Sequence, residues 1–266
     1  MSNRIRTAIR VMCIAGVQSL SAAFADTISI TPAKDNTIFS ADGNASNGQG
    51  DLFCGTSGEG NVRRMLLAFD VAGNVPAGST ILSAGLTLTL VRAARESGAE
   101  DLERHRVLQD WGEGDSLEDG GPGAPADDGD ATWSFRFFSD QDKTWDNPGG
   151  DFAPESSGPA TVGRDLGPYT FASTPQTVAD VQDWLDQPDG NFGWIIRGNE
   201  SMEGTSRRFA SRETMAATDR PTLAVEFEAP PPPPPAPRAT RFCGFGMVGA
   251  MLAGLAGITG IREFTF

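Results

Sequence analysis

The sequence predicts an all-β sandwich over residues 26–228. Three observations carry that expectation. Short runs of alternating apolar and polar residues recur along the stretch. The 32 glycines and 18 prolines of the 266-residue chain supply the turns between such runs. A single segment has helical spacing. About two hundred residues suffice to close one core around strands of this kind.

The elements follow in order. TISITP, residues 27–32, opens with alternation. RRMLLAFDV (63–71) and STILSAGLTLTLVRA (79–93) are the strongest strand signals. In the second, Ile81, Ala84, Leu86, Leu88 and Leu90 approximate a period of two, as a strand with one buried face requires. VPAGS between them (75–79) reads as a turn. ERHRVLQDW places His105 in a further strand, where it is expected to be a surface side chain. WSFRFFS (133–139), PYTFAS (168–173), FGWIIRG (192–198) and TLAVEFE (222–228) supply more strands. Within FGWIIRG, Trp194 and Ile196 point to one face, and Ile195 and Arg197 to the other. TVADVQDWLDQP (177–188) is the helix: Val178, Val181 and Leu185 share a face, and Pro188 ends it.

The ends have other compositions. Residues 1–25 carry Arg4, Arg6 and Arg10, then an apolar run closing on Ala23-Phe24-Ala25. This is the pattern of a secretory signal peptide, so the chain is expected outside the cytoplasm. Residues 229–241 hold six consecutive prolines, which form a stiff extended linker rather than a strand or helix. Residues 242–261 contain no charged side chain, a length that spans a bilayer core as a helix. Gly246, Ala250 and Gly254 fall four apart on it, a spacing that allows close helix contact. Residues 242–266 are therefore expected to form an apolar, membrane-directed segment.

The net charge is −14. Without the three arginines of the leader, 18 basic residues face 35 acidic ones, a net −17. Such a surface excludes nucleic acid as a partner, because a phosphate backbone needs a basic face. Three cysteines in unlike contexts make neither a disulfide framework nor a paired metal motif, and Cys54 reads as a lone buried thiol. The single histidine rules out a multi-histidine zinc site, and no nucleophile motif accompanies it.

Four stretches, in order, carry a resemblance. They are DNTIFS with the following NGQGDLFCGTSGEGNVRRMLLAFDVAGNVPAGSTILSAGLTLTL; WGEGDS; GDATW with TWDNPGGDF; and DVQDWLDQPDGNFGWIIRGNE with RRFASRE and RPTLAVEF. Over residues 35–227 the chain resembles the DNRLRE domain of secreted bacterial and archaeal proteins. The resemblance implies a jelly-roll β-sandwich. Some members of that family accompany polysaccharide lyases or are classed as carbohydrate-binding modules. The proline linker and apolar tail resemble the PEP-CTERM class of surface proteins, whose tails are handled by a dedicated sorting protease. Here the Pro-Glu-Pro signature is absent and the basic cluster after the helix is reduced to Arg262.

Candidate functional residues fall into two groups. WGEGDSLEDGGPGAPADDGDATW, between Trp111 and Trp133, holds seven acidic residues and no basic one. It reads as a loop, and three readings stay open: a solvated excursion, a calcium site, or a carboxylate pair acting on a glycosidic bond. Calcium takes six to eight oxygen ligands. Asp115, Asp127, Asp128 and Asp130 are the preferred ligands, with Glu118 and Asp119 nearby. The second group would bind polysaccharide. Trp145, flanked by loop-like residues, is the tryptophan expected to be exposed for stacking on a sugar, with Lys143 beside it. Arg208 and Arg212 of RRFASRE either form a structural ion-pair network or present a cationic face to an acidic glycan. The chain is thus expected to be a non-catalytic, secreted, polysaccharide-binding surface domain, with a structural or adhesive surface protein as the alternative.

Overall fold

The computed structural model describes residues 25–232 except 42, 95–97 and 119. The leader, most of the proline linker and the apolar segment 242–266 lie outside the described residues. No helix among the described residues is long and apolar enough to cross a membrane.

The described chain is mostly β, as expected. Its strands are β1 (Ala25–Ile30), β2 (Lys34–Phe39), β3 (Ala45–Ser46), β4 (Leu52–Thr56), β5 (Val62–Ala68), β6 (Thr80–Ala93) and β7 (Glu100–Val107). After them come β8 (Ala124–Pro125), β9 (Phe152–Val162), β10 (Gly167–Phe171), helix α1 (Pro175–Asp186), β11 (Trp194–Arg197), β12 (Arg207–Phe209) and β13 (Thr222–Glu228). Every pairing between them is antiparallel.

One part of the network is built on β6. Strand β13 pairs with its Thr80–Thr87 stretch and β12 with its far end, while β10 pairs with Leu86–Leu90. The other part runs β5-β11-β7-β9, with β2 also on β5. Strand β4 joins the two. Its Leu52–Cys54 pair with β12, and its Gly55 and Thr56 pair with β5. Gly55 makes this change of partner possible, because its φ of +91° is left-handed and a Cβ would sit 3.0 Å from the Thr205 carbonyl oxygen.

The main core lies between the two parts. Leu86, Leu88 and Leu90 of β6 and Leu223 and Val225 of β13 pack with Met65, Leu67, Trp194 and Ile196. Val181, Trp184 and Leu185 of α1 join the same core. The Thr174 side chain caps the helix, accepting from the Thr177 backbone N–H at 3.0 Å, and Pro175 opens its first turn. The helix ends at Asp186 because Pro188 pushes the preceding Gln187 out of helical geometry, to φ −134° and ψ 70°. A polar knot is buried beside it. The Arg104 guanidinium lies 4.8 Å from the Trp194 ring centroid and donates to Thr177 Oγ1 at 2.6 Å. The Asp180 carboxylate accepts from the Trp194 indole N–H at 2.8 Å and from the Ser157 hydroxyl.

Strands β5 and β11 are buried on both faces. Met65 and Leu67 face the main core, whereas Leu66, Ala68 and Ile195 face a second one. The expected split of Trp194 and Ile196 from Ile195 is therefore present. Residues 108–151 supply the second core, placing Trp111, Ala131 and Trp145 against Ile38, Leu66 and Ile195. The Leu108 N–H donates to the Asp151 carbonyl oxygen at 2.9 Å and closes this segment at its base. The acidic stretch is thus anchored as part of a packed cover, with Asp115, Asp127 and Asp128 left exposed on it. WSFRFFS, expected to be a strand, lies in the same cover and makes one bridge, Phe135 to Thr144. It folds back on itself instead: Arg136 N–H donates to Lys143 O at 2.8 Å, and Ser139 turns with φ +69°.

Trp111 anchors the cover. It is fully buried, its indole N–H donates to Phe192 O at 2.9 Å, and the Lys34 ammonium sits 4.3 Å from its ring centroid. Trp111→Ala is expected to cost about 3–5 kcal/mol of stability in urea unfolding. A loss below about 1 kcal/mol would show that residues 108–151 contribute nothing to the fold.

Candidate functional site: a buried carboxylate cluster and an aromatic–arginine face

The structure redistributes the residues that the sequence singled out. Trp145 is not exposed: it retains 4 % of its surface, and its indole N–H donates to Thr132 O at 2.9 Å. TWDNPGGDF is a tight turn rather than an open loop. Asp151 accepts from the backbone N–H groups of Asp146 (2.7 Å) and Asn147 (3.0 Å), and this closes the turn with Trp145 in the second core. Lys143 is exposed and pairs with Asp140 at 3.5 Å. Arg208 pairs with Asp51, and Arg212 with Glu113 and Glu213. The three cations thus go to different acids, and Arg208 and Arg212 of RRFASRE are both ion-paired within the protein.

The proposed calcium ligands do not converge. Asp115, Asp127 and Asp128 are exposed, whereas Asp130 is fully buried. Asp130 Oδ2 accepts from the Asp127 N–H at 2.8 Å, holding a turn of the cover. Burial raises its carboxyl, against hydrogen bonds from Asp127 and Ser116 that lower it. His105 departs from expectation as well. It is buried, with its ring 5.2 Å from Phe152 and Nδ1 3.0 Å from Ala153 O. Cys54 is buried and free, as expected, and burial pushes its thiol up, which makes it inert.

Among the described residues, the carboxylates that do meet are Asp35, Glu113 and Glu213, each offering an oxygen within 4.8 Å of the others. Asp35 comes from β2, Glu113 from the cover, and Glu213 from the turn between β12 and β13. Arg212 ties them together. Its Nε lies 2.6 Å from Glu113 Oε1 and 2.8 Å from Glu213 Oε1, and its backbone N–H donates to Asp35 Oδ2 at 2.9 Å. The Asp35 N–H in turn donates to Glu113 Oε1 at 2.7 Å. Two oxygens stay unmatched: Asp35 Oδ1 and Glu213 Oε2 are buried with no hydrogen-bond partner. Burial, reinforced by the Glu213 charge, pushes the Asp35 carboxyl well up, and burial also raises Glu213.

The second feature lies on the half-buried surface around Phe152. The Arg64 guanidinium stands 4.6 Å from the Trp133 ring centroid and 5.5 Å from that of Phe152, and Arg197 lies 5.2 Å from the same Phe152 ring. Glu200 holds both arginines. Arg64 donates to its two oxygens at 2.7 and 2.9 Å, and Arg197 at 3.2 and 2.8 Å. Of the five tryptophans, Trp133 alone is not buried.

None of these partners could be paired by spacing. Asp35 and Glu113 are 78 residues apart, and Arg212 is 177 from Asp35. The signal that was present is positional: Asp35, Glu113 and Glu213 each fall in one of the stretches DNTIFS, WGEGDS and RRFASRE. No protein-family model matches the chain, and no curated protein matches it.

The Glu200 clamp has a pH signature. Burial pushes its carboxyl up, but hydrogen bonds from Arg64 and Arg197, with their charges, outweigh it and bring it from 4.5 to about 2. A carboxyl held down in this way stabilises the fold fully above its unfolded value, and that contribution is lost as pH falls towards the folded one. The shift corresponds to at most about 3 kcal/mol. Urea midpoints of the wild type should therefore fall between pH 4.5 and about 2. Glu200→Gln should lower stability at pH 7 and flatten that fall. An equally steep decline in the variant would assign the acid sensitivity to other groups.

Proposed function

We propose that the chain is a non-catalytic domain of the DNRLRE type, a jelly-roll sandwich, secreted and held at the cell surface through a C-terminal membrane-directed tail, and that it binds polysaccharide. The tail is either a lasting anchor or a substrate for a sorting protease. The observation that carries the glycan reading is the half-buried Trp133, beside Phe152 and the guanidinium groups of Arg64 and Arg197. Aromatic faces stack on sugar rings, and arginines offer planar pairs of donors to hydroxyl or carboxylate oxygens. Two arginines against Glu200 leave a local excess of one positive charge in an acidic protein, which Glu103 at its edge reduces. The face therefore suits neutral or sparsely charged glycans better than dense polyanions.

A second reading, a structural or adhesive surface domain without a sugar ligand, is favoured by the burial of Trp145 and the internal pairing of Arg208 and Arg212. A panel of neutral and acidic polysaccharides separates the two. Saturable binding of the full chain to one glycan class is expected, weakened at least tenfold by Trp133→Ala and unchanged by Lys143→Ala. No binding across the panel, with the chain folded, would establish the structural reading.

A further inference from the structure

We propose that Asp35, Glu113 and Glu213 form a calcium site that locks the acidic cover to strand β2 and to the turn between β12 and β13. The site differs from the aspartates that the sequence suggested, and it does not depend on the glycan reading.

Geometry comes first. The three ligand oxygens lie within 4.8 Å of one another. Oxygens at that spacing share a centre within about 2.8 Å of each, so an inward shift of a few tenths of an ångström brings all three to calcium–oxygen bonding distance. Charge agrees with this. Three carboxylates surround the single guanidinium of Arg212, an excess of two negative charges that a divalent cation cancels.

The unmatched oxygens point to the same ligand. Asp35 has no exposed surface, and its Oδ1 meets no donor. Glu213 Oε2 is in the same state. A buried acceptor without a partner is costly, and one cluster that holds two of them calls for a ligand. Glu113 completes the set. Its Oε1 already accepts from Asp35 N–H and Arg212 Nε, while Oε2 accepts only from Arg212 Nη2, at 3.0 Å. A lone pair therefore remains on Oε2. Calcium suits the cluster better than magnesium, which demands a tight octahedron and sheds its waters reluctantly.

The ion would join three segments far apart in sequence, and this gives the test two independent readouts. The purified full chain, in detergent and stripped with chelator, is titrated with calcium chloride and followed by calorimetry and thermal unfolding. One site per chain is expected, with a rise in Tm of about 5 °C at a hundredfold excess over Kd. Magnesium chloride at the same concentration should give less than half of that rise. Asp35→Asn and Glu213→Gln should each abolish the calcium response, and Asp128→Asn should retain it. In the wild type, chelator should make the stretch between Trp111 and Trp133 the first to be cut by protease, and calcium should restore its protection. This second readout stands even if the cluster variants do not fold. The proposal is overturned by a wild type that shows neither heat nor a Tm shift, by a response that survives both cluster variants, by its loss in Asp128→Asn, or by cleavage indifferent to calcium.

Discussion

Strands β5 and β11 must be covered on both faces, and most of the architecture follows from that constraint. In RRMLLAFD the side chains of Met65 and Leu67 face one core while Leu66 and Ala68 face another, and all four are buried. A strand that is apolar on both sides cannot sit at the surface of a single two-layer packing, because one face would remain wet. Residues 108–151 solve this by lying across the second face. Their Trp111 and Trp145 provide the apolar area, and their many glycines and aspartates allow the tight path. Position sorts its side chains: Trp111, Ala131 and Trp145 pack against the sheet, while Asp115, Asp127 and Asp128 face water.

The same cover explains where the cations go. In a chain of net charge −14, the arginines are used inside as fasteners between distant segments. Arg212 joins β2, the cover and the β12–β13 turn; Arg64 joins β5 to Glu200 beyond β11; Arg208 joins β12 to Asp51. Each guanidinium meets planar carboxylates with more than one donor or lies near an aromatic ring, contacts that an ammonium makes less well. The two clusters have opposite electrostatic characters. Around Glu200, two arginines hold one carboxylate down to about 2; around Asp35, burial, reinforced by the neighbouring carboxylates, pushes the carboxyl up against a single arginine. The first is complete in itself, while the second has two buried oxygens without a hydrogen-bond partner.

The local rules were readable along the chain. Alternation located β5, β6, β11 and β13 to within a residue or two at most ends, and the helix was placed with its apolar face correct and its ends shifted by two residues. Alternation also separated Ile195 from Trp194 and Ile196. It failed at WSFRFFS, where aromatic residues that suit a strand pack instead against a cover folded by its turns. Exposure read from polar flanks failed at Trp145 and at His105, which does lie in a strand, β7, because both rings are drawn under neighbouring segments. Polarity of the flanks reports the path of the backbone, not what lies above it.

By itself, the sequence determined the β class, the order of the strongest strands, the single helix and the acidic, lysine-poor balance, because these rest on composition and on periodicity within a few residues. Which charges meet was decided only by the tertiary structure. Asp35, Glu113 and Glu213 lie in three stretches that no local pattern connects, and they converge because β2, the cover and the β12–β13 turn all pack at one place. The face of a strand is set by its neighbours in sequence, whereas the partner of a carboxylate is set by which backbone the burial of apolar area brings beside it.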